Sequence, residues 1–427
     1  VTGTMLVVLG LWLVSLFLGL PLFAGLGLAS FGFVWLSGIP LGIVAQKMAQ
    51  AANSFPLLAA PLFILMGNVM NASGVTERIF GFAHAVVGWM RGGLCHANIV
   101  ASVIFAGMSG SAVADAGGVG TIEIKAMRDA GYDVETAASV TAASATIGPI
   151  IPPSLPMVIY AVAADVSIGG LFLAGVIPGL MMAGALMAMV TVLARRRGLP
   201  RAPFGGPAAI WRAFASAALS LATPAILFGG MISGLFTPTE AAAVAAAYAL
   251  LLGLVVYRTL PLAALPRLLA ETVETTGVVL ALLMTATALA WCLSLSRIPQ
   301  MLGPAIVAAV DDPTLFLLAV NVLLLLVGTV MEAIAAMLVL VPILVPAAAG
   351  FGIDPVHFGL VFVLNLMIGT ITPPVGVVLF VTARVAGLPF DRLSRAILPW
   401  LAPLVAVLLA VTLHPPLATW LPRLVLG

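Results

Sequence analysis

Two stretches of this chain carry residues that could bind an ion inside a membrane. The first, Gly107-Met108-Ser109-Gly110-Ser111-Ala112-Val113-Ala114-Asp115, joins small residues to two hydroxyls and a carboxylate. Where such a stretch breaks a helix, its carbonyls leave helical geometry. Together with hydroxyl oxygens they can replace the hydration shell of a sodium ion. The opposite pole of the break, a helix N-terminus, favours an anionic group. A close-packed interface of small residues explains this stretch, taken alone, equally well. The second stretch, Ile147-Gly148-Pro149-Ile150-Ile151-Pro152-Pro153-Ser154, sets three prolines into an apolar run. Three backbone donors are lost there, and the unpaired carbonyls must line protein or water because lipid cannot satisfy them.

Both stretches recur. Residues 107–153 repeat without a gap at 328–374, an offset of 221 that places Gly107 on Gly328, Asp133 on Asp354, Gly148 on Gly369 and Pro152-Pro153 on Pro373-Pro374. Glycine and proline dominate the matches, so what has been duplicated is a backbone irregularity. The second copy of the break reads Ile368-Gly369-Thr370-Ile371-Thr372-Pro373-Pro374-Val375-Gly376. A kinked helix would account for one such motif, whereas two at the same distance after a small-residue tip point to an ion or substrate site. Asp115 and Glu332 are read as the only acids deep in apolar sequence. Burying charge in a bilayer is costly, so such residues are usually functional or paired, and both could hold a tip by bonding backbone donors. Glu240, in Thr237-Pro238-Thr239-Glu240, has the form of a capping box. Arg384 could clamp a carboxylate, but its place near the end of a span assigns it to snorkelling.

The elements that position these residues must be membrane helices. Of 427 residues, 63% are hydrophobic and 7% charged, against roughly a quarter charged in soluble domains. Strand-period alternation of the outer-membrane barrel type is absent. A net charge of +2 without a basic, aromatic-interleaved stripe excludes nucleic acid. Cys95 and Cys292 read as buried free thiols. His84, His96, His357 and His414 form no ligand cluster and read as interfacial or loop residues, and no metalloprotease, hydrolase or phosphate-loop motif occurs. The chain is therefore not expected to be an enzyme.

Spans are predicted near 5–36 (one helix kinked at Pro21, or two short ones), 55–71, 134–163, 168–194, 217–235, 239–257, 276–293, 356–385 and 397–413. The apolar start lacks a basic n-region and a cleavage site, and reads as the first span. Regions 92–125 and 313–349 are too long for one crossing and are interrupted by small residues, as re-entrant helical hairpins are. Amphipathic pieces at 40–52, 75–90, 206–216 and 260–274 read as interfacial helices, with connecting loops as the alternative. The stretch 195–207 reads as a central linker. If the first hairpin opens to the cytoplasm, then Arg91, Lys125, Arg128, Arg195-Arg196-Arg197, Arg201, Arg258, Arg267, Arg384, Arg392 and Arg395 fall inside. The second hairpin then opens outward beside Asp311, Asp312 and Asp354, and Arg297 is the exception. The repeats come out inverted.

At these motifs the chain resembles the large membrane subunit, DctM-like, of the tripartite ATP-independent periplasmic (TRAP) transporters. The resemblance rests on Gly107 to Asp115, Gly148 to Ser154, the hairpin from Gly328 to Ala336, and Asn365 to Gly376, and it spans essentially the whole chain. It implies an all-α polytopic protein of the bacterial inner membrane, with inverted repeats, two re-entrant hairpins and two broken helices, working as an elevator. It implies sodium-driven import of an organic anion, such as a dicarboxylate or sugar acid, with sodium as coupling ion and no cofactor. The implied partners are a small four-helix membrane subunit, expected as a separate chain because no four-helix unit precedes the first span, and a periplasmic substrate-binding protein. One sodium site would use Ser109, Gly110 and Ser111 with Gly148, Pro149 and Pro152. The other would use Gly328 and Thr329 with Gly369, Thr370, Thr372 and Pro373. Substrate would lie between the tips, near Ser111, Pro153, Ser154, Asn365, Pro374 and Gly376. The repeats differ where Ser111 and Asp115 align with Glu332 and Ala336, so the two ion sites need not be alike.

The expected organisation has an N-terminal scaffold and interfacial arm at 1–91, and the first hairpin and broken helix at 92–167. Scaffold helices and linker follow at 168–312, the second hairpin and broken helix at 313–387, and a C-terminal span at 388–427. Two other readings stand beside the leading one: a standalone sodium-coupled carboxylate carrier that needs no binding protein, and a passive scaffold or channel whose serines and prolines only pack helices.

Overall fold

The computed structural model describes residues 2–53, 55–297, 301, 310 and 312–427. Asp311, read above as an outer flank, lies outside the described residues. All regular structure among the described residues is helical. The first hairpin rises along Gly93–Ser109, turns at Gly110 and Ser111, and returns along Ala112–Gly117 and Val119–Asp129. Its return arm is thus interrupted at Gly118 and runs past the expected end at Lys125. The following span is broken as the prolines require, into Val134–Ala145 and Leu155–Ala164. In the second repeat Pro313–Val330 and Ala333–Gly350 form the hairpin, and Pro355–Gly369 and Val377–Ala386 form the broken helix. The Pro152–Pro153 and Pro373–Pro374 peptide bonds are both cis.

Most of these starts carry a side-chain cap, whereas Gly93–Ser109, Val119–Asp129 and Val377–Ala386 begin after glycines without one. Ser111, Asp133 and Ser154 accept from the backbone N–H of Ala114 (3.3 Å), Thr136 (2.7 Å) and Met157 (3.2 Å). In the second repeat Glu332 accepts from Ala335 (3.0 Å) and Asp354 from Val356 (2.9 Å). These bonds satisfy N–H groups that a helix start otherwise leaves bare, typically contributing ~1 kcal/mol each. Thr237 and Glu240 close the expected capping box.

The offset of 221 extends beyond the motifs. Shifted by it, Thr2–Phe17 falls on the end of Pro207–Ile232, Leu22–Leu36 on Pro238–Leu251 and its π-helical extension Leu252–Val256, and Ala59–Ala72 on the end of Leu265–Leu295. Ile168–Arg197 falls on Phe390–Ala396, Leu398–Leu413 and the first residues of Pro416–Leu426. The N-terminal span is two helices, divided at Gly19-Leu20-Pro21. The amphipathic pieces at 206–216 and 260–274 are not separate interfacial helices. They run unbroken into the spans behind them, as Pro207–Ile232 and Leu265–Leu295. No proline falls at either junction, and Gly277 beside the second is a lone glycine that a helix tolerates. The 31 residues of Leu265–Leu295 measure about 46 Å at the α-helical rise, longer than a ~30 Å hydrocarbon core. Gly42–Ala52 and Val75–Val87 do stand apart, the latter bent 72° from Ala59–Ala72 at Gly74, whose φ is 68°. Pro416–Leu426 is a further helix that the hydropathy reading missed.

Each broken helix gives its second half to the other repeat. Leu155–Ala164 packs on Ala333–Gly350 and Pro355–Gly369, while Val377–Ala386 packs on Ala112–Gly117 and Val134–Ala145. Tyr160 meets Phe362 with ring centroids 5.5 Å apart, and Phe362 meets Phe358 at 5.9 Å. All three side chains are fully buried, and the two phenylalanines each contribute about 1.5–3 kcal/mol. Ile168–Arg197 packs on Gly93–Ser109, Pro355–Gly369, Leu398–Leu413 and Pro416–Leu426. The expected boundary at 168 therefore separates this helix from the elements it rests on, because it is the third member of its repeat, as Leu398–Leu413 is of the other. A second group packs mainly on itself: Leu22–Leu36, Gly42–Ala52, Ala59–Ala72, Pro238–Leu251 and Leu265–Leu295. Its outer faces expose Trp35, Val244, Val273 and Val278, apolar surface suited to lipid contact.

Candidate functional site

In the first repeat the tip is seated on the break. Gly110 has φ 58°, and a Cβ there would lie 2.5 Å from the Pro153 carbonyl oxygen, so only glycine fits both the turn and the contact. Ser109 Oγ donates to Asp115 Oδ1, and the Ser111 N–H reaches Ser109 Oγ at 3.4 Å. The Asp115 carboxylate lies directly against Gly148, and its Oδ2 is buried with no hydrogen-bond partner among the described residues. Ser154 Oγ donates to the Pro149 carbonyl while capping the next helix. Ser109, Gly110, Gly148 and Pro153 are thereby brought together, with Pro149 and Ser154 joined behind them. All the residues from Thr141 to Tyr160 are buried.

The second repeat pairs tip and break backbone to backbone. A Cβ on Gly369 would lie 2.7 Å from Gly328 Cα. The Gly376 N–H donates to the Thr329 carbonyl at 3.0 Å, and the Val378 N–H to the Thr370 carbonyl at 3.1 Å. Hydroxyls of Thr329, Thr370 and Thr372 donate back to the carbonyls of Leu326, Met367 and Ile368 at 2.8, 2.6 and 2.8 Å. Their lone pairs stay free to accept or to coordinate. Here the site is open: Val330, Glu332 and Pro374 are exposed, and Thr372 and Pro373 are half-buried. One break is sealed and the other is accessible.

Three readings need correction. Asp115 does not hold backbone donors; its partner is the Ser109 hydroxyl, and the backbone-capping acid is Glu332, in the position of Ser111. Glu332 is itself exposed, so it is not a deeply buried acid. The buried acid that the sequence concealed is Glu123, 1% exposed, two residues before the exposed Lys125. His96 and His357 are buried rather than interfacial, the latter within 2.9 Å of the Val411 carbonyl. Asn365 is fully buried, and its amide donates to Asn321 Oδ1 at 2.9 Å and to the Asn321 carbonyl at 3.0 Å. Asn321 in turn donates to Thr412 Oγ1 at 2.9 Å. Arg384 is exposed in the last turn of Val377–Ala386 and forms no ion pair among the described residues. Cys95 and Cys292 are buried free thiols.

The first hairpin also abuts Pro207–Ile232 and the second group of helices through Ala59–Ala72. A Cβ on Gly107 would lie 2.6 Å from Pro224 Cβ, one on Gly67 3.5 Å from Ser109 Cα, and one on Gly118 2.7 Å from Asn71 Oδ1. Oxygen-rich breaks held between two inverted halves can desolvate a small cation, and the exposed face of the second break leaves room for a larger ligand. Such an arrangement defines a polytopic helical membrane transporter.

Comparison with known proteins gives the particular family. Residues 9–417 match the tripartite ATP-independent periplasmic transporter, DctM component. The chain is 48% identical over 417 residues to the sialic acid TRAP transporter large permease protein SiaM of Vibrio cholerae, covering 97% of this chain and 98% of that one. It is 40% identical to the 2,3-diketo-L-gulonate TRAP transporter large permease protein YiaN of Escherichia coli, covering 96% and 97%. In fold it is similar to the crystal structure of the YdaH transporter of Alcanivorax borkumensis, with a TM-score of 0.64 and 16% identity over 86% of each chain. The chain belongs to the DctM family of TRAP large permeases.

Proposed function

We propose that this permease imports an organic acid, with sugar acids the first candidates, by sodium-coupled transport in which the two hairpins and broken helices move together as an elevator. The acid named for its 48% identical relative is sialic acid, and that for the 40% identical one is 2,3-diketo-L-gulonate. The observation that carries the sodium reading is Asp115 Oδ2, buried, unpartnered and pressed against Gly148 at a helix break. A buried carboxylate oxygen with no donor is costly unless a cation joins it.

On this reading the first sodium site uses oxygens of Ser109 to Ser111 with the carbonyls from Gly148 to Pro152, and Asp115 supplies the charge. The second uses carbonyls and hydroxyls of Gly328, Thr329, Gly369, Thr370, Thr372 and Pro373. The acid binds between the tips, at Ser111 on one side and Pro374 and Gly376 on the other, and Asn365 braces the second break from behind. Ile168–Arg197 and Leu398–Leu413 travel with the hairpins, and the helices around Leu265–Leu295 stay fixed. The protein sits in the inner membrane, beside a small membrane subunit, and receives its substrate from a periplasmic binding protein.

The test is uptake of labelled sialic acid and 2,3-diketo-L-gulonate into proteoliposomes holding the permease and its small subunit. Uptake of one acid is expected to require an inward sodium gradient and to fall when the binding protein is omitted. Equal uptake on a potassium gradient overturns the coupling, and undiminished uptake without the binding protein overturns the tripartite delivery.

A further inference from the structure

The foot of the first hairpin holds a polar cluster that neither ion site uses. Glu123, on Val119–Asp129, is 1% exposed, and its Oε2 accepts from Asn98 Nδ2 at 2.6 Å. The same Nδ2 reaches Thr141 Oγ1 at 2.7 Å, Ser144 Oγ donates to Asn98 Oδ1 at 2.6 Å, and the Thr141 hydroxyl donates to the Ala137 carbonyl at 2.9 Å. Every donor in the cluster is thus spent. Glu123 Oε1 is buried and has no partner among the described residues.

A full negative charge in this place would be held by one amide donor for two oxygens. Among the described residues no cation lies within ion-pair distance of Glu123. Of the elements packed on Val119–Asp129, Ala112–Gly117 contributes Asp115, another acid. The others carry Glu77, Arg78 and His84 (Val75–Val87), Cys95 and His96 (Gly93–Ser109), Glu135 (Val134–Ala145) and Arg384 (Val377–Ala386). None of these is bonded to Glu123. Its own helix carries Lys125, Arg128 and Asp129, all exposed. Turning the Asn98 amide over does not help, because Oδ1 would then face Glu123 Oε2 at 2.6 Å, a separation between two oxygens that requires a proton between them. A metal cation is disfavoured by the same geometry, since Asn98 turns donors toward the carboxylate and its Oδ1 is already engaged by Ser144.

The fold itself does not need the cluster. In the second repeat the equivalent positions are Ala319, Leu344, Phe362 and Asn365, and three of the four are apolar. The same architecture closes there with aromatic and aliphatic packing. We propose that Glu123, with Asn98, Thr141 and Ser144, is a proton-binding site built into the first repeat, occupied by a proton in the packed arrangement and reached from the exposed hairpin foot at residues 128–131. The carrier then moves the first repeat with Glu123 as a neutral acid.

Infrared difference spectroscopy of the full reconstituted chain at neutral pH tests this without any substrate, and so independently of the transport reading. The wild type is expected to show a buried carboxylic acid carbonyl band that is lost in Glu123→Gln, which keeps the Asn98 contact. An identical carbonyl region in wild type and variant overturns the proposal. Should the glutamine variant not reconstitute, Asn98→Ala decides. Removing the donor while leaving the acid is expected to shift that band, and an unshifted band overturns the assignment.

Discussion

Replacing Gly369 with alanine drives one methyl group between two backbones. The added Cβ would lie 2.7 Å from Gly328 Cα, 2.8 Å from its carbonyl carbon and 3.2 Å from its oxygen. Carbon atoms rest at about 3.5–4.0 Å, so tip and break must part by roughly 1 Å. No side chain can rotate away, because the obstructing atoms are main chain. Overpacking of this kind typically costs about 1–3 kcal/mol. If sodium binding must restore the contact, the half-saturating sodium concentration for uptake rises by ~5- to ~140-fold, at about 1.4 kcal/mol per tenfold. The assay is initial uptake rate against sodium concentration in proteoliposomes, with the thermal midpoint of the detergent-solubilised protein measured alongside. Gly277→Ala is the control, since a Cβ there meets nothing within 4 Å, and alanine favours the helix. An unchanged sodium dependence and midpoint in Gly369→Ala would refute the claim that the Gly328–Gly369 contact shapes an ion site.

Other expectations separate ion binding from packing. Asp115→Asn keeps a partner for Ser109 but removes the charge beside Gly148, and should weaken sodium dependence by ~10-fold or more, the scale of a charge-assisted contact. If Asp115 only packs the tip, sodium dependence will not move. Glu332→Ala should lower stability by about 1 kcal/mol through loss of the Ala335 cap, whereas Glu332→Ser, which restores the residue type of the first repeat, should recover most of it in a thermal melt. Asn321→Ala removes the side-chain acceptor of the buried Asn365 amide and leaves it only the Asn321 carbonyl, which should cost about 1 kcal/mol, seen as a lower melting midpoint. An unaltered midpoint would show that water replaces the contact.

The repeat, the hairpins and the two breaks were legible in the sequence because glycine and proline report backbone geometry directly, and the offset of 221 fixed their correspondence. Caps were equally legible at Thr237 and Glu240. Hydropathy failed where no breaker marked a change of environment, as between 206–216 and 217–235, since an amphipathic turn and an apolar turn continue one helix. Glu123 was hidden by its neighbour Lys125, because depth was judged from sequence distance while burial is decided by packing against Asn98 and Thr141. Asn365 was read toward the substrate from its place in a motif. Its partner Asn321 lies 44 residues away, and no local pattern announces such a contact. The place of Ile168–Arg197 beside the hairpins follows from the same offset once it is applied to whole helices.

The elevator claim is tested most directly by fixing the first hairpin to the helix it abuts. A Cβ on Gly118 would lie 3.0 Å from Asn71 Cγ, which bounds the Cβ–Cβ separation at about 4.5 Å, within disulfide range. Asn71→Cys with Gly118→Cys, in a background carrying Cys95→Ala and Cys292→Ala, is expected to cross-link on oxidation, stop sodium-driven uptake, and regain it on reduction. Full uptake by the cross-linked protein would contradict a hairpin that moves against its scaffold.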